Sequence, residues 1–344
     1  NVHTLKDCGI SNKPGVVQHM DQKKHFLLGK AMLLSFIARH STLIMPVCAI
    51  VGFVFPNLSN AVLVYLPQIL FFLMFFTLLG IDQYALLKRI ATSYVWVFAL
   101  LQSGGMCLVL VLIAYAFGVR GDWLLAIAGL GATAPLFGSG ALVNAVGFDA
   151  QLATAKTIAA TLVMPCTLLG VLWLLGDESS NLDVGLYVKR LLVYIFMPMV
   201  LAVGVRRFVP PAILSRYYPK IGQFNILLLM LFPLVLMAGF RTTFDHNPWQ
   251  ALLLLVLSSV LALVFYFTAY IIYRRFGYEN AIVAALVCGG RNVLLSYTIT
   301  VPFMGAVFLP LLGAFQLPMF CLPLLGKYMA KRHTTRPMDL KSSF

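Results

Sequence analysis

The sequence has few charged residues. Asp, Glu, Lys and Arg make up 10% of its 344 residues, whereas hydrophobic residues make up 61%, and the mean hydropathy is +0.92. A soluble domain of this length could not bury so much apolar surface in its core. The composition therefore argues against a water-soluble protein and predicts a chain embedded in lipid.

The sequence also lacks the motifs of several kinds of site. Its six cysteines lie mostly within apolar runs, without a CxxC pair or a Cys/His cluster, so neither a zinc site nor a disulfide framework is expected. Paired carboxylates, a catalytic triad and a phosphate-binding loop are missing as well. We therefore expect no enzymatic activity, no metal site and no resident cofactor.

Acidic residues are scarce relative to basic ones. The chain has 11 Asp and Glu against 25 Lys and Arg, which gives a formal net charge of +14. The basic residues lie between hydrophobic runs rather than on one face, so the positive-inside rule explains them better than nucleic-acid binding does. We expect a lipid bilayer as partner and no nucleic acid.

Long hydrophobic runs are abundant. They are continuous and close to the ~20 residues that a helix needs to cross a bilayer, which favours helices over a β-barrel. They predict an all-α membrane protein with ten transmembrane helices, at roughly 33–55, 62–81, 92–117, 123–145, 150–175, 187–205, 222–240, 249–273, 280–300 and 305–327.

The distribution of Lys and Arg predicts the orientation. With ten spans, the basic clusters of both tails and of the loops after spans 2, 6 and 8 fall on one side, and the longest opposite loop is acidic. Residues 1–32 and 328–344 are therefore expected to be cytoplasmic tails of a multi-pass protein in the plasma membrane, or in a bacterial inner membrane. The first 30 residues are polar and basic, so we expect no cleavable signal peptide.

Ten spans divide into two sets of five, 33–175 and 187–327. An odd number per set forces opposite orientations, which is the inverted-repeat plan of many secondary transporters. The fourth span of each set carries a glycine-rich interruption. The sequence leaves the oligomeric state open between a monomer and a homodimer.

The first interruption covers residues 129–140 around Pro135, and the second covers residues 288–292. Proline and glycine destabilise a helix, so both spans should break at mid-membrane. Unwound backbone at that depth lines a cavity or is buried in protein, and the N-termini of the half-helices suit an anion. Close packing of helices through small residues is the alternative, and we favour it for Gly129 and Gly131.

Two ionisable residues lie near the middle of predicted spans: Lys156 in span 5 and Arg291 in span 9. Asp149 is roughly 10 Å from Lys156 along a helix, which is too far for a direct pair. Two such cations favour an anionic ligand, and Arg binds a carboxylate through two parallel hydrogen bonds. The alternatives are that either side chain extends to the interface or pairs with an acid from another span, or that Lys156 is neutral and carries protons.

Polar residues accompany the two cations. Gln102 is a lone amide in span 3, and Asn292 and Ser296 lie on one helical face after the second break. Three threonines share one face of span 5 because of their spacing: Thr154, Thr157 and Thr161. Hydroxyls that bond to their own helix backbone are an equally good explanation of these threonines.

Several short segments occur in a characteristic order: Val54-Phe55-Pro56, Ile81-Asp82 with Lys88-Arg89, Gln102, Ala134-Pro135 to Gly140, Gly147-Phe148-Asp149 and Arg291-Asn292. In these segments the chain resembles the bile acid:sodium symporter family over roughly residues 33–330. The resemblance implies a five-plus-five inverted repeat, with a panel domain (spans 1, 2, 6 and 7) and a core domain (spans 3–5 and 8–10). It also implies a site at crossed, broken spans 4 and 9, and transport by alternating access.

The chain departs from that family at the sodium sites that the resemblance implies. Gly140 and Ala141 stand where sodium-coupled members have small polar residues, and the acidic residue expected in span 9 is missing. Arg291 replaces a usual Gln, and Lys156 lies among the hydroxyls. The family pattern for sodium is met at three positions: Gln102, Asn292 and Thr157.

The sequence therefore predicts a secondary transporter of a small organic anion, with Lys156 and Arg291 in place of two sodium ions. The expected ion-site or ion-substitute residues are Lys156, Thr157, Gln102, Arg291 and Asn292. The expected substrate-binding residues are Pro135, Gly138, Ser139, Gly140, Arg291, Asn292 and Ser296. A sodium-coupled symporter and, from another class, a channel or a non-transporting receptor are the alternatives, and protons are an alternative coupling ion.

Overall fold

A computed structural model describes residues 41–80, 83–176 and 183–334. The expected N-terminal tail, the beginning of span 1, most of the acidic loop and the last ten residues lie outside these ranges. Within them, the regular structure is helical, apart from one isolated bridge between Pro135 and Arg291.

Fourteen helices make up the described part of the chain. They are α1 Ser41–Val54, α2 Pro56–Leu63, α3 Leu66–Leu79, α4 Gln83–Ile90, α5 Ser93–Ala116, α6 Gly121–Ala132, α7 Ser139–Val146, α8 Ala150–Leu175, α9 Val184–Phe208, α10 Pro211–His246, α11 Pro248–Phe276, α12 Tyr278–Gly289, α13 Val293–Thr300 and α14 Phe308–Thr334. Proline begins α2, α10 and α11, since the first turn of a helix tolerates its missing N–H group.

Six of the described helices are long and apolar enough to cross a membrane: α5, α8, α9, α10, α11 and α14. Helices α1 and α2 would add a seventh span if counted together, although the chain bends by 102° between them. Helices α3, α6 and α12 are apolar but shorter. The protein is therefore an all-α, membrane-embedded protein, as its composition predicts.

The distribution of apolar side chains agrees with a lipid environment. Helices α5 and α9 expose large apolar side chains along their lengths, among them Leu108, Leu112, Val200 and Val203. Helices α6 and α12 are instead buried on all sides over 124–132 and 281–289. Long helices thus surround short, buried ones.

Helix ends differ from the sequence-based boundaries at three places. Helix α10 has 36 residues and includes the basic segment that we expected to be a loop before residue 222. Helix α2 occupies the expected loop after span 1, and α14 continues to Thr334, beyond the expected start of the tail at 328. Hydropathy marks where a helix leaves lipid, whereas helical hydrogen bonding continues wherever the backbone allows it.

The helices pack in two groups that meet along α10. Helix α10 contacts α1, α2 and α3, and α9 packs on α3. In the other group α5 packs on α6 and α8, α7 packs on α8, and α11 packs on α12 and α14. Helix α10 also contacts α11 and α14. The short helices α6, α7 and α12 pack within the second group. Helix α13 contacts α6 of that group and also α3 and α9 of the first group.

Candidate functional site

Both predicted interruptions are present, and they contact each other. The backbone leaves the helix after α6 and re-enters it at α7, and it does the same between α12 and α13. The N–H of Leu136 donates to the carbonyl of Gly290 (2.7 Å), and the N–H of Asn292 donates to the carbonyl of Ala134 (2.7 Å). These two bonds satisfy backbone groups that would otherwise be unpaired in the protein interior.

The guanidinium of Arg291 lies at the C-terminal end of α6. Its Nη1 donates to the carbonyl oxygens of Thr133 (2.7 Å), Gly131 (3.2 Å) and Gln102 (3.3 Å). The side chain is fully buried, and its charge stacks 3.8 Å from the ring centroid of Phe265. The last carbonyls of a helix have no helical partner and carry partial negative charge. Arg291 therefore caps α6 with a tethered positive charge.

Gln102 reaches the same point from α5. It lies in the π-helical turn Leu101–Gly105, where the wider turn leaves its carbonyl oxygen free for Arg291. Its Nε2 donates to the carbonyl of Thr133 (3.1 Å), whereas its Oε1 is buried without a hydrogen-bond partner among the described residues. Gln102 and Arg291 thus both donate to the carbonyl of Thr133, directly after the end of α6.

Lys156 has an aromatic environment. Its Nζ lies 4.8 Å from the ring centroids of Tyr94, Phe98 and Tyr273, and it donates to the Tyr94 hydroxyl (3.2 Å). The side chain is fully buried. Aromatic faces attract a cation, but they do not neutralise it.

The two cations lack a carboxylate partner within the described residues, where ion pairs are made by Arg89 with Asp149 and by Arg241 with Asp245. Cys288, in the last turn of α12, interacts with both of them. Its Sγ is 4.0 Å from Nη2 of Arg291, and the thiol also interacts electrostatically with Lys156. The cations thus lie near the C-terminal ends of two half-helices, Arg291 at α6 and Lys156 near α12.

The N-terminal turn of α13 offers unused hydrogen-bonding groups. Asn292 caps α13 through Oδ1, which accepts from the N–H of Leu295 (3.2 Å), while its Nδ2 has no partner among the described residues. The hydroxyl of Ser296, one turn later, is likewise buried without such a partner. These two groups are neutral donors next to the break.

The residues after the first break mostly have hydrogen-bond or packing partners within the protein. Thr157 donates to the carbonyl of Ala153 (2.9 Å), so its 2.6 Å contact with Ser139 is a bond in which the Ser139 hydroxyl donates. A Cβ on Gly138 would lie 2.5 Å from Leu229, and a Cβ on Gly140 would collide with Thr154. These glycines therefore permit close packing of α7 against α10 and α8.

The structure brings most of the predicted site residues to the crossing of the two breaks. Pro135, Gln102, Arg291 and Asn292 are connected there by direct hydrogen bonds or by the bridge. Thr157 joins Ser139 beside α7, and the threonines at 154 and 161 bond to their own helix, as the simpler explanation required.

Sequence reasoning did not identify the partners of the two cations. Phe265 and the ring cage Tyr94, Phe98 and Tyr273 lie on helices that are far in sequence from the cation that they contact or on a different helix from it. Single aromatic residues in apolar runs carry no local signal that distinguishes a cation partner from a packing residue. Depth and charge identify Lys156 and Arg291, but their contacts depend on the tertiary fold.

No known protein-family model matches the chain, and no curated protein sequence is similar to it. Residues and geometry show a membrane-embedded, all-α protein with two broken helices that cross, a buried arginine at the crossing and a buried lysine in an aromatic cage.

Proposed function

We propose that the protein is a secondary transporter that carries a small organic anion across the membrane by alternating access, without sodium, and that it is a divergent member of the bile acid:sodium symporter family. Ten crossing segments follow if α6 with α7 and α12 with α13 each form one broken span, α1 and α3 form spans 1 and 2, and the six long helices form the rest. Five of them precede the loop at 177–182 and five follow it, as an inverted repeat requires.

The position of the Arg291 guanidinium supports this function most strongly. Three backbone carbonyls surround its Nη1 where one helix ends and another begins. Backbone carbonyls of unwound helices are the groups that bind a coupling cation in many secondary transporters. A side-chain cation that already occupies such carbonyls replaces the ion, and we assign Lys156 the same function at the second position.

The charge balance at the crossing favours an anionic substrate. Arg291 offsets the negative end of α6, and Lys156 lies near the negative end of α12, whereas the positive N-terminal ends of α7 and α13 remain. The unpartnered Asn292 Nδ2 and Ser296 hydroxyl are donors at one of these ends. We expect the carboxylate to bind at these donors, with the two cations acting through their field rather than through a fork at Arg291.

Uptake into proteoliposomes tests the proposal. The purified protein is assayed with radiolabelled carboxylates of several sizes, in sodium and in choline buffer. We expect uptake of at least one carboxylate at rates that differ by less than twofold between the two buffers. We expect Arg291→Gln and Lys156→Met to lower that uptake at least tenfold.

Arg216→Gln is the matched control, because Arg216 is an exposed arginine of α10 far in sequence from both breaks, and its uptake should equal that of the wild type. Uptake that requires sodium would contradict sodium independence and favour a conventional symporter. Flux that does not saturate with substrate concentration would instead indicate a channel.

A further inference from the structure

A second arginine reaches the carbonyl end of a half-helix. Arg190, near the start of α9, donates from Nη1 to the carbonyl oxygen of Thr298 (2.6 Å) in the last turn of α13. The two residues are 108 positions apart in sequence. The guanidinium also interacts electrostatically with Tyr297. Arg190 therefore connects α9 to the half-helix that carries Asn292 and Ser296.

The partner of Arg190 is a neutral carbonyl. Within the described ranges it forms no ion pair with a carboxylate, and its side chain is half-buried. A hydrogen bond from a cation to a neutral group is weaker than one to an anion, so this contact can be exchanged. Arg291, in contrast, is fully buried and donates to three carbonyls.

Helix α9 departs from regular α-helical geometry near this contact. A π-helical turn, Leu192–Phe196, begins two residues after Arg190, and Pro198 lies two residues after the turn. Such turns often mark functional hinges. The segment before the turn is fixed to α8, because the Tyr187 hydroxyl donates to the carbonyl of Pro165 (2.7 Å). Helix α13 packs on α9 and on α3, and these two helices therefore cover one face of α13.

We propose that Arg190 is a latch: it holds α13 against α9 and so closes the outer side of the transport site. Its release opens a path from outside to Ser296. This proposal rests on the transport function and orientation proposed above, in which α9 begins at the outer face. It assigns a positioning role to a residue that does not touch the crossing of the two breaks.

Cysteine accessibility tests the latch without any substrate. Ser296→Cys serves as reporter in a background in which Cys8, Cys48, Cys166 and Cys321 are replaced by Ser. A membrane-impermeant methanethiosulfonate reagent is added to intact cells that express the protein. We expect Arg190→Leu to increase the labelling rate at least tenfold over the same background with Arg190 intact.

Two variants make the result specific. Lys189→Leu removes the exposed neighbouring charge and should leave the labelling rate unchanged. Arg190→Lys keeps the charge and a donor nitrogen, so its rate should lie below that of Arg190→Leu. Arg190→Gln, which removes the charge, replaces the leucine variant if that protein does not fold. Equal labelling of the Arg190 and Lys189 variants would overturn the latch.

The outcomes separate the latch from transport itself. Faster labelling of Arg190→Leu supports the latch, even if the proteoliposomes take up none of the carboxylates and the proposed function fails. Unchanged labelling in a protein that does transport a carboxylate overturns the latch and leaves the function intact.

Discussion

Arg291 holds an unwound segment in place with a single side chain. Replacing it by Ala leaves the carbonyls of Gly131 and Gln102 buried without this donor, whereas the carbonyl of Thr133 keeps the bond from Gln102 Nε2. An unsatisfied buried group costs about 1–3 kcal/mol, so we expect Arg291→Ala to lower the free energy of unfolding by about 3 kcal/mol or more. Thermal unfolding in detergent measures this, with Arg216→Ala as the exposed control. An unchanged midpoint would show that the guanidinium does not hold α6.

Lys156 should have the opposite effect on stability. Its charge is fully buried among neutral rings, and a buried charge without a counter-ion carries a desolvation cost that an apolar side chain of similar length does not. We therefore expect Lys156→Met to unfold at the same or a higher temperature while transport is lost. A strong decrease in the unfolding temperature would mean that the ammonium has a structural partner.

The sequence identified these two residues by charge and depth alone. That reasoning works because a charge within an apolar span is costly and needs a reason. It could not assign their roles, since the partners of Arg291 come from α5, α6 and α11. The packed structure adds that Nη1 of Arg291 caps α6, whereas the expected fork between Arg291 and a substrate stays a prediction.

At the scale of helices, the sequence predicts the positions of the two breaks but not the ends of the long helices. Pro135 and the glycines at 289 and 290 act on their own backbone, so local sequence determines where the helix stops. The end of α14 and the start of α10 lie in polar segments, where hydropathy no longer separates a helix from a loop. The position of a break can therefore be predicted from one segment of sequence, whereas the length of a helix also depends on neighbouring segments.

Two glycines should respond oppositely to the same change. A Cβ on Gly313 of α14 would lie 2.5 Å from the carbonyl oxygen of Leu236 and 2.9 Å from Cβ of Phe240, whereas nothing lies within 4 Å at Gly170 of α8. Gly313→Ala must separate α14 from α10, which should lower the free energy of unfolding by about 1–3 kcal/mol. Gly170→Ala should gain about 0.5–1 kcal/mol of helix stability. Thermal unfolding of both variants compares them, and equal shifts would contradict the packing of α14 on α10.

At the scale of the whole molecule, composition alone required lipid. The count of spans is harder, because a broken span consists of two helices too short to cross a membrane: α6 has 12 residues and α7 has 8. A length criterion therefore finds six or seven spans among the described helices. The ten-span arrangement depends on joining helices across breaks, which the bonds between residues 134–136 and 290–292 make physically reasonable.

The ten-span arrangement makes a definite prediction of sidedness. With five spans before residues 177–182 and five after, this loop lies outside, while the turn between α9 and α10 and the C-terminus lie inside. Alkaline phosphatase, which is active only outside the cytoplasm, should be active when inserted at residue 180 and inactive when fused after residue 209 or 344. Green fluorescent protein at the same positions should give the reverse pattern. If phosphatase is inactive at 180 and active at 209, the loop lies inside; that pattern would contradict the predicted orientation and, with it, the assignment of Arg190 to the outer face.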